Sequence, residues 1–455
     1  MAKKTSSLTE TAPKKTNLFS FIKKIDNSVE ILEDSVISKI SDWISTGSYI
    51  INACISGSIF GGIPSGRVTM LQGESGCGKS FLAASTCREG QYKGYKVVYL
   101  DTEACITKQW MDRIGVSTVG DDCIVKQINT VNEATSFILN LCDAVIKARN
   151  EGEDVGKIII VFDSLGNAAS QKEIDDIAAL DAEKGSNVPA DFTRTKDLKK
   201  MFRVITVPLA KANIPLIAVN HIYSKIGSYT GGNESGGGSG PKYAATVTLQ
   251  MSGSKLEDKA NDKAAAQSNN AGDIKRTGIK ITCFPVKSRL SIARTVRSQI
   301  PTFKKPNPYV GLESYLNWDN AGIMVGKCYK EEEYLKLKPN EQTECIPFEY
   351  TDKNTGEISM RYAQPKKTMV RGVGIVCKHL GRAVDPTTEF WTPTVFTDEF
   401  LHYIDDNIIK PAFELPSRDS FDDINEMVKE LGGSDDEDDK TAKSQSDVIS
   451  TDIKK

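Results

Sequence analysis

The chain has 455 residues, room for a core domain of about 200–250 residues with additions at either side. Charged residues make up 26% and hydrophobic ones 39%, and no run approaches the roughly 18 consecutive apolar residues of a membrane span. A formal net charge of −2 excludes general electrostatic attraction to nucleic acid, so any such contact needs a local groove.

In chain order, residues 1–28 are rich in Lys, Ser and Thr and read as a disordered basic tail. Their start, Met1–Ser7, lacks the apolar stretch of a secretory signal, and the expected location is the cytoplasm with no membrane partner. Val29, Leu32, Val36, Ile40 and Trp43 keep three- and four-residue spacing. They predict an amphipathic helix within an N-terminal element of residues 29–60, packed on the core or on a neighbouring copy. Residues 48–67 read as a loop-rich approach to the first central strand, in a core assigned to residues 61–300.

Val68–Leu71 is a short β-type run, and Phe81–Ser85 reads as helix. Between them stands Gly73-Glu74-Ser75-Gly76-Cys77-Gly78-Lys79-Ser80, the phosphate-loop pattern G-x-x-x-x-G-K-[ST] in its strand–loop–helix setting. Its glycines let backbone N–H groups turn inward around an anion, and the helix opening at Phe81 adds partial positive charge behind them. ATP is the expected ligand, with Lys79 on the β- and γ-phosphates and the Ser80 hydroxyl on Mg²⁺. Cys77 adds a thiol beside the phosphates.

Lys96–Asp101 predicts a buried strand that ends in Asp101-Thr102-Glu103. Helices follow near Lys108–Ile114, closed by Gly115, and over Glu133–Arg149. Ile158–Asp163 and Ile214–Asn220 are two more apolar strands, the second running into His221. Apolar strands separated by helices indicate an α/β fold with a parallel sheet covered on both faces. The polar residues at their C-terminal ends stand where open α/β sheets bind ligands. Asp163 suits a Mg²⁺-ordering carboxylate, with helix capping as the plainer role. Glu103 could orient and deprotonate an attacking water, and Asp101 is a rival for that task.

Residues 171–191 are polar and interrupted, and 222–240 are Gly-rich; both read as long loops. Tyr243–Met251 and Gly278–Val286 read as strands around a surface insertion at 253–273. Beyond Pro301 the texture changes, which suggests a smaller C-terminal domain over 301–415. Residues 416–455 form an expected disordered tail, with ten acidic and two basic residues between Arg418 and Asp439. Ten cysteines stand singly with no C-x-x-C pair, a pattern of reduced thiols rather than of a zinc site or disulfide framework.

Asp101–Glu103, Trp110–Val116, Asp163–Asn167 and Asn220-His221 before a Gly-rich loop together resemble the RecA-type recombinases, nearest their T4-type phage members. The resemblance spans residues 45–300, weakens over 301–415 and does not reach the tails. It implies a RecA-like P-loop NTPase core with a mostly parallel central sheet, a small N-terminal helical element and a smaller C-terminal domain. It also implies a DNA-dependent ATPase that forms filaments on single-stranded DNA, pairs it with homologous duplex DNA and exchanges strands. The implied processes are recombination, repair and recombination-dependent replication. Further copies of the chain would be its polymer partners, and a recombination mediator and a single-strand-binding protein its loading partners.

Carried over by position, the resemblance makes Glu103 the water-activating residue, Trp110 the ring on adenine and His221 the γ-phosphate sensor. Lys287 and Arg289 become cations inserted into a neighbouring subunit's ATP site. Residues 171–191 and 222–240 become the two DNA-binding segments. Candidate DNA contacts are Phe192, Arg194 and Lys196 beside the first, and Tyr223, Lys225, Tyr229, Gly237 and Gly238 in the second. Two rivals share parts of this pattern: a hexameric helicase of the same fold, and a nucleotide-gated DNA-binding mediator with little turnover. The Gly-rich segment and the Asp163–Asn167 phrase favour the recombinase over the helicase. Having both Glu103 and Asp163 speaks against the mediator.

Overall fold

The structure, a computed structural model, describes residues 17–26, 29–32, 35, 37–178, 193–224, 233–235, 240–257, 276–301, 306–370 and 372–415. In chain order the first elements are α1 (Leu18–Ile25), β1 (Trp43–Ile44), α2 (Tyr49–Ser56), β2 (Ile63–Pro64), β3 (Val68–Gly73) and α3 (Lys79–Tyr92). Next come β4 (Tyr95–Asp101), α4 (Lys108–Ile114), β5 (Cys123–Gln127), α5 (Val131–Asn150), β6 (Lys157–Asp163), α6 (Gln171–Ala178) and α7 (Thr193–Ala212). The central sheet is completed by β7 (Leu216–Ser224), β8 (Asn233–Ser235), β9 (Val247–Glu257), β10 (Arg276–Ser288) and β11 (Val296–Pro301), with α8 (Gly240–Ala244) leading into β9.

Strands lie in the order β11-β10-β9-β3-β7-β6-β4-β5, and β8 pairs with β7. From β9 to β5 every neighbouring pair is parallel, whereas β10, β11 and β8 run antiparallel to their partners. Alternation along each strand sends successive side chains to opposite faces. Leu71, Tyr99, Ile159, Val161 and Val219 join one buried cluster with residues of α2, α3 and α4. Met70, Val98, Ile160, Phe162 and Ala218 join another with α5 and α7. Both faces are therefore covered, which is why these strands carry no polar alternation.

Local chemistry sets the helix ends, for α4 where the pattern predicted them and for α5 slightly outside the predicted Glu133–Arg149. Gly115 closes α4 at φ +92°, in the left-handed region that favours glycine. Thr130 opens α5 by accepting from the Glu133 N–H at 3.1 Å.

Other stretches differ from expectation. Among the described residues of 29–43 there is no helix, and Trp43 pairs with Pro64 as a strand. The Ser38 hydroxyl bonds the carbonyls of Leu32 and Ser35, both at 2.9 Å, an alternative to helical pairing. The helix lies earlier, at α1, inside the stretch read as tail. Asn17 caps it at 3.0 Å, and Lys23 and Lys24 complement its C-terminal dipole. Residues 49–56 are helix rather than loop. Ile50 to Ile55 are all buried, and a segment apolar on every side shows no period.

The 171–191 stretch opens as α6, capped by reciprocal bonds between Ser170 and Glu173 at 2.6 and 3.1 Å. Among the described residues of 222–240, residues 222–224 and 233–235 form a β7–β8 ladder, with Tyr223 opposite Glu234. Strand β9 starts at Val247 and runs to Glu257, into the expected insertion.

Residues 323–384 contribute a five-stranded antiparallel sheet. Ile323, Phe396, Ile404 and Phe413 of this region share one hydrophobic cluster with Ile50 and Ile51 of α2. Asp405, 2% exposed, fastens the region to the loop after α2 by accepting from the Ser58 hydroxyl at 2.7 Å and the Ile59 N–H at 2.8 Å. Described residues up to Phe413 form one compact unit; Glu414 onward falls in a second, of which only residues 414 and 415 are described. No helix among the described residues is long and apolar enough to cross a membrane.

Candidate functional site

The phosphate loop grows from the C-terminal end of β3, held between β7 and β9. Gly73 stands opposite His221 on one side and Met251 on the other. A Cβ at Gly73 would lie 2.3 Å from the Met251 carbonyl oxygen, so no side chain fits. Gly76 and Gly78 have φ of +73° and +96°, which turns the loop back into the N-terminus of α3. Glu74, Ser75 and Gly76 are exposed, whereas Lys79 is buried. Its ammonium donates to the Gly73 and Glu74 carbonyls at 2.9 and 2.7 Å. Burial holds the Lys79 amine below its usual range, offset in part by Cys77, Asp163 and Glu103 nearby. A buried cation beside a glycine-rich loop at the N-terminus of α3 suits a polyphosphate.

Asp163 ends β6 at 6% exposure. Its Oδ2 accepts the Tyr99 hydroxyl at 2.7 Å, and the Ser80 hydroxyl also bonds this carboxylate. Burial pushes its pKa up, while the bonds from Ser80 and Tyr99 pull it back. Ser80 and Asp163 thus place two hard oxygen donors side by side. That fits Mg²⁺, which keeps waters and phosphate oxygens for the rest of its shell. Among the described residues no three His, Cys, Asp or Glu side chains converge on one point.

The turn after β4 is pinned to the turn after β6. The Thr102 N–H donates to the Asp163 carbonyl at 2.9 Å, and the Ser164 N–H donates to the Thr102 hydroxyl at 2.8 Å. Asp101, 1% exposed, accepts from the Glu103 N–H at 2.9 Å, the Ile106 N–H at 3.3 Å and Gln127 Nε2 at 3.2 Å. That carboxylate is consumed in shaping the turn, which leaves Glu103 as the one presented to the cleft. Glu103 Oε1 meets Asn167 Nδ2 at 2.7 Å, the Ser164 hydroxyl at 2.9 Å and His221 Nε2 at 3.3 Å. The ends of β4, β6 and β7 therefore converge beside the phosphate loop.

The remaining predicted residues fall in three places. Trp110 and Phe81 are half-buried and pack against the hydrophobic cluster of the α3 face. Lys287 donates to the Tyr243 carbonyl, and Arg289 is exposed just past β10. Ser288 pairs with Val247, which pairs with Thr69, so this cation pair stands at the sheet edge opposite Gly73. Arg194 and Lys196 occupy the first turn of α7. Gly240, where α8 begins, packs so closely on α7 that a Cβ would stand 2.1 Å from Lys199 Cγ. The backbone of Tyr223 lies in β7, while Phe192, Lys225, Tyr229, Gly237 and Gly238 are outside the described residues.

Tyr99, Ser164 and Asn167 were not singled out from sequence. Ser164 directly follows the strand-ending Asp163 and Asn167 closes the same turn, positions that could have marked them. A separate cavity of about 480 Å³, walled by Trp318, Tyr350, Phe400 and Tyr403, holds none of these site residues.

Known proteins share this chain's pattern. It is 26% identical over 396 residues to the recombination and repair protein of Enterobacteria phage T4, covering 86% of this chain and 83% of that one. It is 29% identical over 222 residues to the protein RecA of Wolbachia sp. subsp. Drosophila simulans (strain wRi), covering 48% of this chain and 56% of the relative. The protein RecA of Chelativorans sp. (strain BNC1) is 29% identical over 209 residues, 46% of this chain and 52% of its own length. The family model for the RecA N-terminal domain matches residues 20–285, more than half of the chain, and this protein belongs to that family.

Proposed function

We propose that this protein is an ATP-dependent DNA recombinase that polymerises on single-stranded DNA and exchanges it into homologous duplex DNA. The observation that carries the reading is the shared contact of Glu103 and His221 beside a complete phosphate loop. A base and a phosphate sensor that touch each other are what a nucleotide-timed DNA grip needs.

In this reading Lys79 leaves the Gly73 and Glu74 carbonyls for the β- and γ-phosphates, a short movement of a flexible stem. Trp110 and Phe81 border the nucleotide, and Gly73 to Ser80 cradle its phosphates. Ser80 and Asp163 would hold Mg²⁺, which draws charge off the phosphates. Glu103 takes a proton from the attacking water through Oε2, since Oε1 is occupied by donors. His221 turns from Glu103 to the γ-phosphate, and β7 carries that movement toward residues 225–240. Loss of the γ-phosphate on hydrolysis removes the differential contact and releases DNA.

The DNA surface is built on the start of α7, where Arg194 and Lys196 stand near the α8 end of the second segment. Phe192, Tyr223, Lys225, Tyr229, Gly237 and Gly238 complete it with stacking rings and close backbone approach. Helix α1 buries none of its residues, and Leu18, Phe21 and Ile25 are 70%, 56% and 75% exposed. That apolar face packs on an adjacent copy in the filament. A mediator and a single-strand-binding protein load it in the cytoplasm, and the acidic tail competes with duplex DNA for the groove.

Phosphate release measured with and without single-stranded DNA tests this reading. The expected result is a DNA-dependent rise that Lys79→Ala abolishes. A rate unchanged by DNA would overturn it.

A further inference from the structure

We infer that Asn167 is the positioning residue that holds Glu103 in register for proton abstraction once His221 has turned away. The inference rests on the reading of Glu103 as the base. A carboxylate oxygen has two lone pairs, yet Glu103 Oε1 faces three donors. Asn167 and Ser164 are the nearer ones, at 2.7 and 2.9 Å, and His221 is the farthest, at 3.3 Å. His221 is therefore the donor that leaves at least cost, and the other two can fill both lone pairs without it. Among the described residues Oε2 takes no hydrogen bond, so the clamp occupies one oxygen and leaves its twin for water.

Asn167 suits this task because its backbone is fixed while its side chain does no packing. The Leu165 N–H donates to the Val219 carbonyl at 2.9 Å, and the Ala169 N–H to the Asn129 carbonyl at 3.0 Å. Leu165 and Ala168 are fully buried on either side, yet Asn167 itself is exposed. Its amide must present the NH₂ group to the carboxylate, since the carbonyl end would repel it. Without that donor, the flexible Glu103 side chain is steered by Ser164 alone. The same turn runs through Ser170 into α6, so Asn167 ties the base to the stem of the first proposed DNA segment, as His221 ties it to the second.

Steady-state ATP hydrolysis on single-stranded DNA tests the assignment with Asn167→Ala, Asn167→Asp and Glu103→Gln. Asn167→Ala should lower kcat by about 10–100-fold, the cost of a misplaced catalytic group, with KM for ATP unchanged. Asn167→Asp keeps the shape but replaces the donor with a second carboxylate, and should lose at least as much. Binding of a fluorescent ATP analogue at wild-type affinity would show that both variants are folded. Asn167→Asp with wild-type kcat, or a loss matched by an equal rise in KM, would overturn the assignment. A silent Glu103→Gln beside a fully active Asn167→Asp would refute Asn167 alone. An active Glu103→Gln would refute the base itself.

Discussion

Arg289→Ala is expected to lower DNA-stimulated ATP hydrolysis by about 10³–10⁵-fold, the range for loss of a cation supplied in trans to a phosphoryl group. Strand β10 runs antiparallel to β9, and Ser288 at its end pairs with Val247 at the start of β9. The phosphate loop leaves β3 at Gly73, at the opposite end of the parallel register. Four residues of strand, about 13 Å at the rise per residue, separate Thr69 from Gly73 before any loop is counted. An exposed Arg289 at that far edge is therefore proposed to act in another copy's site rather than in its own. ATP binding by isolated protomers should be unchanged, because the protomer's own loop is intact. Mixing Arg289→Ala with Lys79→Ala protomers should restore part of the rate, since some interfaces then join an intact loop to an intact cation. Wild-type hydrolysis by Arg289→Ala alone would rule out the shared site.

Glu103→Gln should reduce kcat by about 10²–10⁴-fold, the usual contribution of a positioned general base, while ATP binding persists. Glutamine keeps an oxygen to accept from Asn167 and Ser164, so the cleft keeps its shape and loses only basicity. Filaments of this variant should stay in their ATP-bound form, visible as slow release of DNA after a competitor is added. Asp101→Asn makes the contrast. Asp101 accepts two hydrogen bonds within the turn and one from Gln127 of β5, so its replacement should lower thermal stability before it touches the chemical step. A Glu103→Gln protein with undiminished kcat would return Asp101 to contention.

The central strands and the phosphate loop were legible because burial on both faces leaves an unbroken apolar run that ends in a polar residue. Ile158 to Asp163 is such a run, and its register against Tyr95–Asp101 brings Asp101 level with Asp163. Glu103, Asp163 and His221 could be placed at one sheet edge for that reason. Helix α2 was hidden by the same burial, since Ile50 to Ile55 show no polar face to set a period. The spacing of Val29 to Trp43 misled because the Ser38 hydroxyl there bonds the Leu32 and Ser35 carbonyls directly. Asn167 stood in a quoted phrase but was given no role of its own, because that role depends on a contact across 64 residues of chain, between two turns that only the parallel register brings together.

Strand exchange between circular single-stranded DNA and homologous linear duplex, in ATP and Mg²⁺, tests the central claim most directly. The account predicts joint molecules with the wild-type protein and none with Lys79→Ala or with a heterologous duplex. A protein whose ATP hydrolysis responds to DNA but which forms no joint molecules with homologous duplex would contradict it.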